Sequence, residues 1–134
     1  MARKVLISAG GSGIGRCIAE AFLAHHDEVF VCDINAESLA QFQKAYPALH
    51  IYACDLSKHD EIKSMFSDAI NKLGHIDVLV NNTGISGPTI AAEELSFADW
   101  SAVLNLNLNS TFAITQLAIP FLKQSEAGVI INMS

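Results

Sequence analysis

The chain has 134 residues, of which 51% are hydrophobic and 16% are charged, and its formal net charge is -6 at pH 7. This length and apolar content predict one folded domain over residues 1–134 and exclude a disordered segment. The acidic balance leaves no basic surface for nucleic acid, and the apolar runs are too short to cross a membrane. We therefore expect a cytoplasmic protein with no nucleic-acid or membrane partner.

The cysteine content gives no sign of a metal centre or of disulfide bonds. Cys17, Cys32 and Cys54 are odd in number and lack the spacing of metal ligands. We expect all three to be small, buried apolar side chains in a reducing compartment, and we expect no metal site.

Apolar strand patterns alternate with helical patterns along the chain. The strand patterns cover residues 3–8, 28–32, 49–54, 76–81 and 128–133. Helical spacing covers residues 14–22, 36–46 and 62–70, and Ser57 and Ser96 are predicted to cap helices. This alternation predicts βαβ units in a doubly wound, Rossmann-like α/β/α domain. We expect a parallel sheet with the strand order 3-2-1-4-5 and helices on both faces.

The segment from Ser96 to Leu122 is ambiguous, because residues 104–109 alternate leucine and asparagine with the period of a strand. The whole segment is too long for a strand and its apolar residues keep helical spacing. We therefore predict one helix that Pro120 bends or ends, with Asn105 and Asn109 on one face and Asn107 on another. Apolar residues on both sides of this helix indicate a contact between subunits.

A glycine-rich stretch, residues 8–15 with the sequence SAGGSGIG, follows the first strand and opens the first helix. Strand, glycine loop and helix in this order form a cradle for a phosphate group. Nucleotide hydrolysis is excluded, because Arg16 and Cys17 stand where a P-loop needs a lysine and a hydroxyl residue. A dinucleotide and the S-adenosylmethionine of a methyltransferase both remain open at this point.

Asp33 follows the second apolar strand, eighteen residues after Gly15. A carboxylate at this position accepts hydrogen bonds from the ribose hydroxyls of an adenine nucleotide and repels a 2′-phosphate. No lysine or arginine precedes Gly13 within the loop or directly follows Asp33. The sequence therefore favours NAD over NADP as the cofactor.

With residues 81–84 (NNTG) and Asn107, these features resemble the short-chain dehydrogenase/reductase family over the whole chain, but only over the first half of a typical member. The family's loop has the pattern T-G-x-x-x-G-x-G, so Ser8 and Ala9 are departures from it. The resemblance implies that Asn81 ties neighbouring strands together. It also implies the residues that hold the cofactor: Gly10, Ser12, Gly13, Ile14, Asp33, Asp55, Leu56, Asn82 and Gly84.

The resemblance implies that Asn107 is the catalytic asparagine, which helps to hold a water molecule that relays protons. The family's fifth strand runs into N-x-S-S, and residues 132–134 (NMS) match only its start. By resemblance the catalytic serine would follow Ser134, and neither Tyr46 nor Tyr52 has a lysine four residues later. We therefore expect the front part of a longer enzyme, without the catalytic serine, tyrosine and lysine.

The combined expectation is an NAD-dependent oxidoreductase that transfers a hydride between nicotinamide and an alcohol or carbonyl carbon. We expect a homodimer or homotetramer, and we expect these 134 residues alone to be inactive. A dinucleotide-binding module without activity is the first alternative. A SAM-dependent methyltransferase is the second.

Overall fold

The computed structural model describes residues 1–134. The five strands are β1 (Lys4–Ser8), β2 (Glu28–Asp33), β3 (His50–Ala53), β4 (Val78–Asn81) and β5 (Val129–Asn132). The five α-helices are α1 (Gly13–Ala24), α2 (Ala36–Ala45), α3 (His59–Leu73), α4 (Phe97–Leu104) and α5 (Ser110–Leu122). A 3-10 turn (Ala92–Glu94) precedes α4, and a π turn (Asn105–Asn109) separates α4 from α5. None of the helices has the length and apolar character that a membrane crossing requires.

The strands form one parallel sheet in the order β3-β2-β1-β4-β5, which confirms the predicted fold class and strand order. The central strand β1 pairs with β2 from Lys4 and Glu28 onward, and with β4 from Val5 and Val78 onward. The strand order therefore reverses at β1. In sheets of this type, ligands bind at the carboxyl ends of the strands beside such a switch point.

Helices cover both faces of the sheet, and each face has its own buried core. Val5 and Ile7 of β1 belong to the core that contains Phe42 of α2. Leu6, between them in sequence, belongs to the opposite core with Met65 of α3. The cores alternate along β1 because successive side chains of a strand point to opposite faces. This packing fixes the strand ends, and with them the loops that follow.

Two carboxylates form hydrogen bonds that stabilise the amino-terminal edge of the sheet. Asp27 accepts hydrogen bonds from the Arg3 backbone N–H at 2.9 Å and from its guanidinium group at 2.6 Å. Asp77 accepts the Lys4 N–H at 2.8 Å and the Ser125 hydroxyl at 2.7 Å. Burial alone would raise the pKa of each carboxyl group, but the bonds from Arg3 and Ser125 leave both pKa values below the ordinary range. Ionised Asp27 and Asp77 therefore stabilise the fold at neutral pH.

The cysteines follow the prediction at two of their three positions. Cys32 and Cys54 are buried, but Cys17 is exposed, so the prediction is wrong there. The buried face of α1 contains Gly15 and Ala19, and residue 17 lies on the opposite side of the helix. A hydrogen bond with Cys54, together with burial, raises the pKa of the Cys32 thiol.

The segment from Ser96 to Leu122 departs from the predicted single helix. Ser96 caps α4 as predicted, since its side chain accepts a hydrogen bond from the Asp99 N–H. The helix then widens into the π turn before α5 begins. Helix α5 continues through Pro120 and ends two residues later at Leu122. The centre of the segment therefore departs from the prediction, and Pro120 does not end the helix at its own position.

Candidate functional site

The loop between β1 and α1 needs glycine at two positions for different reasons. Gly13 has a φ of 57°, in the left-handed region that favours glycine. Gly15 has no room for a side chain, because a Cβ atom there would lie 2.2 Å from the Ala9 carbonyl oxygen and 2.5 Å from Asn82 Nδ2. Ala9 itself has a φ of 53°, so an alanine occupies a conformation that favours glycine.

The amino terminus of α1 is open to an anion. Ser12 occupies the N-cap position without a side-chain capping bond, and the first turn contains no acidic residue. The side chains of Asn35 and Ser96 cap α2 and α4, while α3 has Asp60 and Glu61 in its first turn. Free backbone N–H groups at the positive end of a helix dipole bind negatively charged groups. Of the five α-helices, α1 is therefore best suited to bind a phosphate.

Asp33 lies at the carboxyl end of β2, beside the glycine loop. Its Oδ2 atom accepts the Gly11 N–H at 3.0 Å, and its Oδ1 atom accepts the Asn35 N–H at 3.0 Å. Asp33 takes part in none of the ion pairs of the structure. Arg16, in the first turn of α1, pairs instead with Glu20 at 3.1 Å. The loop is therefore lined by an acid that no cation neutralises.

A cavity of about 230 Å³, here called the first cavity, opens at the carboxyl ends of β2, β3 and β4. Its walls are formed by Ala9, Asp33, Ile34, Cys54, Asp55, Leu56, Thr83, Gly84, Ile85 and Leu106. Most of these side chains are apolar, and carboxylates stand at its border. This lining suits a flat aromatic ring joined to a polar group.

Hydrogen bonds fix the wall of the first cavity that follows β3. The Cys54 N–H donates to the Asp33 carbonyl oxygen at 3.0 Å, and the Asp55 N–H donates to Glu61 Oε1 at 3.0 Å. Asp55 Oδ1 accepts the Ser57 hydroxyl at 2.6 Å and the Ser57 N–H at 2.9 Å, and these bonds lower the pKa of Asp55. The Ser57 side chain therefore serves this turn and does not cap α3, so that prediction is wrong.

Ser8 connects the end of β1 to the residues that follow β4. Its buried hydroxyl oxygen accepts the Asn82 N–H at 3.0 Å and the Thr83 N–H at 3.2 Å. The Asn82 side chain completes the connection, because its Nδ2 atom donates to the Ala9 carbonyl oxygen at 3.2 Å. The hydroxyl of Ser8 thus aligns residues 82–84 with the glycine loop.

Asn81 ties β4 to β5 and α5, as the family resemblance implies. Its Nδ2 atom donates to Asn132 Oδ1 at 2.9 Å and to Thr115 Oγ1 at 3.0 Å. Asn81 Oδ1 and Thr83 Oγ1 are buried without a hydrogen-bond partner. Both residues line a second cavity of about 460 Å³. Unpartnered polar atoms are costly in a folded protein and are typical of functional sites.

Asn107 lies opposite the segment that follows β4. Its Oδ1 atom accepts the Ile85 N–H at 2.8 Å, and its Nδ2 atom donates to the Ile85 carbonyl oxygen at 2.8 Å. A Cβ atom at Gly84 would lie 3.5 Å from Asn107 Oδ1. The Asn107 amide therefore fixes the backbone at residue 85 and borders the second cavity.

Hydroxyl groups support the π turn that carries Asn107. The Ser110 N–H bonds to the Asn105 carbonyl oxygen, five residues earlier, which is the spacing of a π turn. The Ser110 hydroxyl donates to the Leu106 carbonyl oxygen, and the Thr111 hydroxyl donates to that of Asn107 at 3.0 Å. These side chains supply partners for backbone carbonyls where the regular helical ladder is interrupted.

Most of the predicted site residues meet at this edge of the sheet. Asp33, Asp55, Leu56 and Gly84 line the first cavity, while Ile14, Asn82, Gly84 and Asn107 line the second. Ser12 and Gly13 lie at the start of α1, close in sequence to Ile14. Gly10 borders neither of these cavities. Its N–H donates to the Cys32 carbonyl oxygen at 3.1 Å, and a Cβ atom there would lie 2.7 Å from Val31 Cγ1.

Asn105 is not among the residues that the sequence assigns to the site, yet its side chain reaches the wall after β3. Its Nδ2 atom donates to the Ser57 carbonyl oxygen at 2.9 Å. Its Oδ1 atom accepts a bond from Asn109 Nδ2 at 3.3 Å, which agrees with the predicted shared face of these two residues. Repeated asparagines inside a long helix were the available signal, because asparagine is a poor helix former.

Comparison with known proteins relates this geometry to a family. A model of the family described as short chain dehydrogenase matches residues 3–134. L-fucose dehydrogenase of Bos taurus is 32% identical over 132 residues, covering 98% of this chain and 48% of that protein. The 3-oxoacyl-[acyl-carrier-protein] reductase of Thermotoga maritima is 33% identical over 133 residues, covering 96% of this chain and 54% of that protein.

Solved structures give the same relationship. A short-chain dehydrogenase from Streptomyces avermitilis superimposes with a TM-score of 0.92 at 28% identity, covering 99% of this chain and 49% of that one. The 3-ketoacyl-(acyl-carrier-protein) reductase of Brucella melitensis, complexed with NADH, superimposes with a TM-score of 0.89 at 27% identity, covering 96% of this chain and 55% of that one. The chain spans about half the length of these relatives. It belongs to the short-chain dehydrogenase family.

Proposed function

We propose that this chain forms the cofactor cradle of an NAD-dependent oxidoreductase that transfers a hydride between nicotinamide and an alcohol or carbonyl carbon. The observation that carries the proposal is the open amino terminus of α1 beside the unpaired Asp33 carboxylate and the first cavity. Asp33 bonds to Gly11 of the glycine loop and also lines the first cavity, so it connects the anion site to the apolar slot. This sequence of groups matches the diphosphate, ribose and adenine of a dinucleotide.

The residues present fit such a cofactor. Ser12, Gly13 and Ile14 would hold the diphosphate through free backbone N–H groups at the start of α1. Asp33 would accept the hydroxyls of the adenine ribose. Residues 55 and 56 would border the adenine, because they line the first cavity. Asn82 and Gly84 would lie on the side of the nicotinamide ribose, since they line the second cavity. Gly10 would contribute indirectly, by letting the loop pack against β2.

Charge favours NAD over NADP. A 2′-phosphate beside Asp33 would meet a carboxylate that no cation neutralises. The guanidinium group of Arg16 is occupied by Glu20 at 3.1 Å, and it lies 4.5 Å from the centre of the Phe42 ring. The Arg16 guanidinium group therefore contacts Glu20 and Phe42 and forms no ion pair with Asp33. No further arginine or lysine lies within residues 5–43.

The catalytic contribution of this chain would come from Asn107. A bound nicotinamide cofactor supplies the hydride chemistry, and the protein supplies orientation and electrostatics. Asn107 holds both backbone groups of Ile85 at the border of the second cavity. It would therefore keep the segment after β4 in place beside the reacting groups. We propose that the proton-relaying water implied by the family resemblance lies at the same end of the site.

Calorimetric titration of the chain with NADH, NADPH and S-adenosylmethionine tests this proposal. We expect NADH to bind most tightly. Replacement of Asp33 by alanine should weaken NADH binding and narrow the difference between NADH and NADPH. Asp60→Ala is the matched control, since Asp60 is an exposed acid in the first turn of α3. Tighter binding of S-adenosylmethionine, or an unchanged cofactor preference in Asp33→Ala, would contradict the proposal.

A dinucleotide-binding module without turnover is the second candidate for the chain by itself. Its support is the absence of a Tyr-x-x-x-Lys pair, since His50 follows Tyr46 and Leu56 follows Tyr52 at that distance. We expect the 134 residues to bind NADH and to show no turnover with alcohols. Measurable oxidation of an alcohol by the purified chain would refute this expectation. Family membership favours either reading over methyl transfer.

A homodimer or homotetramer is proposed from the outer surface of α4, the π turn and α5. Phe97, Trp100, Leu104, Leu108 and Phe112 form an exposed apolar stripe with spacings of three and four residues. The opposite face of α5 packs against the sheet core. A continuous exposed stripe of five large apolar side chains is typical of a protein–protein contact. Sedimentation analysis of the unmodified chain and of Leu108→Glu tests this proposal, since the substitution should lower the sedimenting mass. Equal masses of the two proteins at all concentrations would contradict the proposal.

A further inference from the structure

Three consecutive residues of the π turn either line the first cavity or bond to the loops that form its walls. The Asn105 side chain holds the wall after β3 through the Ser57 carbonyl oxygen, at 2.9 Å. Leu106 lines the cavity itself. The Asn107 side chain holds the wall after β4 through both backbone groups of Ile85, at 2.8 Å. The two walls come from strands that are not neighbours in the sheet, so the π turn is a direct bridge between them.

The widened helix explains how neighbouring residues can act on one cavity. A π turn contains more residues than an α-helical turn, so a smaller angle separates consecutive side chains. Residues 105–107 therefore point over a narrower arc than they would in a regular helix. Asn109, one turn further, only reaches Asn105, at 3.3 Å. The tethers to the cavity walls are therefore made by the first two asparagines of the turn, Asn105 and Asn107.

The wall after β3 connects the Asn105 hydrogen bond to the residues that line the cavity. Ser57 is joined to Asp55 by two bonds, from its N–H at 2.9 Å and from its hydroxyl at 2.6 Å. Asp55 and Leu56 line the cavity directly. A bond at the Ser57 carbonyl oxygen therefore places this turn as one unit. Without that bond, the turn would be held by β3 and α3 at its two ends, by the buried Leu56 and by the bond from Asp55 to Glu61.

We propose that Asn105 is a positioning residue that sets the spacing of the two walls and thereby the affinity for the adenine half of a dinucleotide. This inference rests on the proposed function, because it takes the first cavity as the adenine site. Asn105 acts through Ser57 and does not contact the base. It gives the π turn a role at the adenine end of the site in addition to the one that Asn107 has at the other end.

The test measures AMP affinity by calorimetry in the chain and in three variants. Asn105→Ala removes the tether, and Asn105→Asp keeps the shape but removes the donor to Ser57. Each should weaken AMP binding about 3- to 10-fold, the range expected for one neutral hydrogen bond. Asn109→Ala is the matched control, since it removes an asparagine from the same turn and the bond to Asn105 while the Ser57 tether remains. Its AMP affinity should stay within about twofold of the original.

Hydrogen exchange separates positioning from general loosening. In Asn105→Ala, the amides of residues 54–58 should exchange faster while those of residues 83–86 keep their rates. The inference fails if the original chain binds AMP and Asn105→Ala binds it equally well. It also fails if Asn109→Ala has the same effect, or if exchange rises equally in both segments. Binding of neither AMP nor NADH by the original chain would overturn the proposed function and this inference with it.

Discussion

Ala9→Gly should stabilise the protein, although glycine usually destabilises the position it enters. Ala9 has a φ of 53°, a conformation in which the alanine methyl group crowds the following carbonyl oxygen. Ala9 follows β1 and its side chain borders the first cavity, so the methyl group makes little contact with the core. The substitution therefore removes strain and loses little packing.

The magnitude follows from two opposing terms. An L-residue in the left-handed region costs about 1–2 kcal/mol, and glycine avoids most of this cost. Glycine also makes the unfolded chain more flexible, which offsets about 0.4–1 kcal/mol. The free energy of unfolding should therefore rise by about 0.5–1 kcal/mol. For a domain of this size, that corresponds to an increase in Tm of about 2–4 °C.

Differential scanning calorimetry, with urea unfolding as a second method, measures this change. Ala21→Gly is the matched control, because Ala21 lies exposed within α1, where glycine costs about 1 kcal/mol. The same substitution should thus raise stability at residue 9 and lower it at residue 21. An equal loss at both positions would show that the conformation of Ala9 carries no strain, and the reasoning would be refuted.

Two further predictions concern acid stability and thiol reactivity. The folded state lowers the pKa values of Asp27 and Asp77, so the unfolded state binds more protons in acid. The free energy of unfolding should therefore stay constant above about pH 4 and decrease below it. Urea midpoints measured from pH 7 to pH 3 test this. In Asp77→Asn the midpoint should decrease less between pH 4 and pH 3 than in the original chain, and an equal decrease in both proteins would contradict the role of Asp77. In native protein, Cys17 alone should react quickly with Ellman's reagent, whereas the two buried cysteines should react only after unfolding. Rapid reaction of all three thiols would contradict the burial described above.

The fold could be predicted from the sequence because its signals are local and periodic. Each predicted strand overlaps an observed one, with ends that agree within two residues. At the start of β4 the prediction begins at Ile76, which is buried, whereas the strand begins at Val78. Apolar patterning reports burial, and it does not distinguish a buried residue before a strand from one within it. The glycine loop and Asp33 could be predicted because parallel strands place their carboxyl ends at one edge, whereas residues 81–84 were assigned through the family resemblance.

The π turn and its contacts could not be predicted because no single sequence period describes the turn and its side-chain partners are distant in sequence. Leucine and asparagine alternate through the turn with the period of a strand, while the flanking residues have the spacing of an α-helix. A π turn follows neither the strand period nor the α-helical period. Its side chains bond to Ser57 and Ile85, which lie 48 and 22 residues away from Asn105 and Asn107. Such partners become apparent only when the sheet has brought the loops together. For this reason the sequence does not assign Asn105 to the site.

The glycine loop shows that positions of one motif are replaceable to different degrees. At residue 9 the chain requires a positive φ, and alanine meets that requirement at a cost of about 1–2 kcal/mol. Gly13 has the same requirement, and a Cβ atom there would meet nothing within 4 Å. At Gly15, by contrast, a Cβ atom would lie 2.2 Å from a backbone carbonyl oxygen, which no side-chain rotation can relieve. A departure from the motif is therefore tolerable at residue 9 and excluded at residue 15 for different physical reasons: the first position needs a backbone conformation, and the second needs empty space.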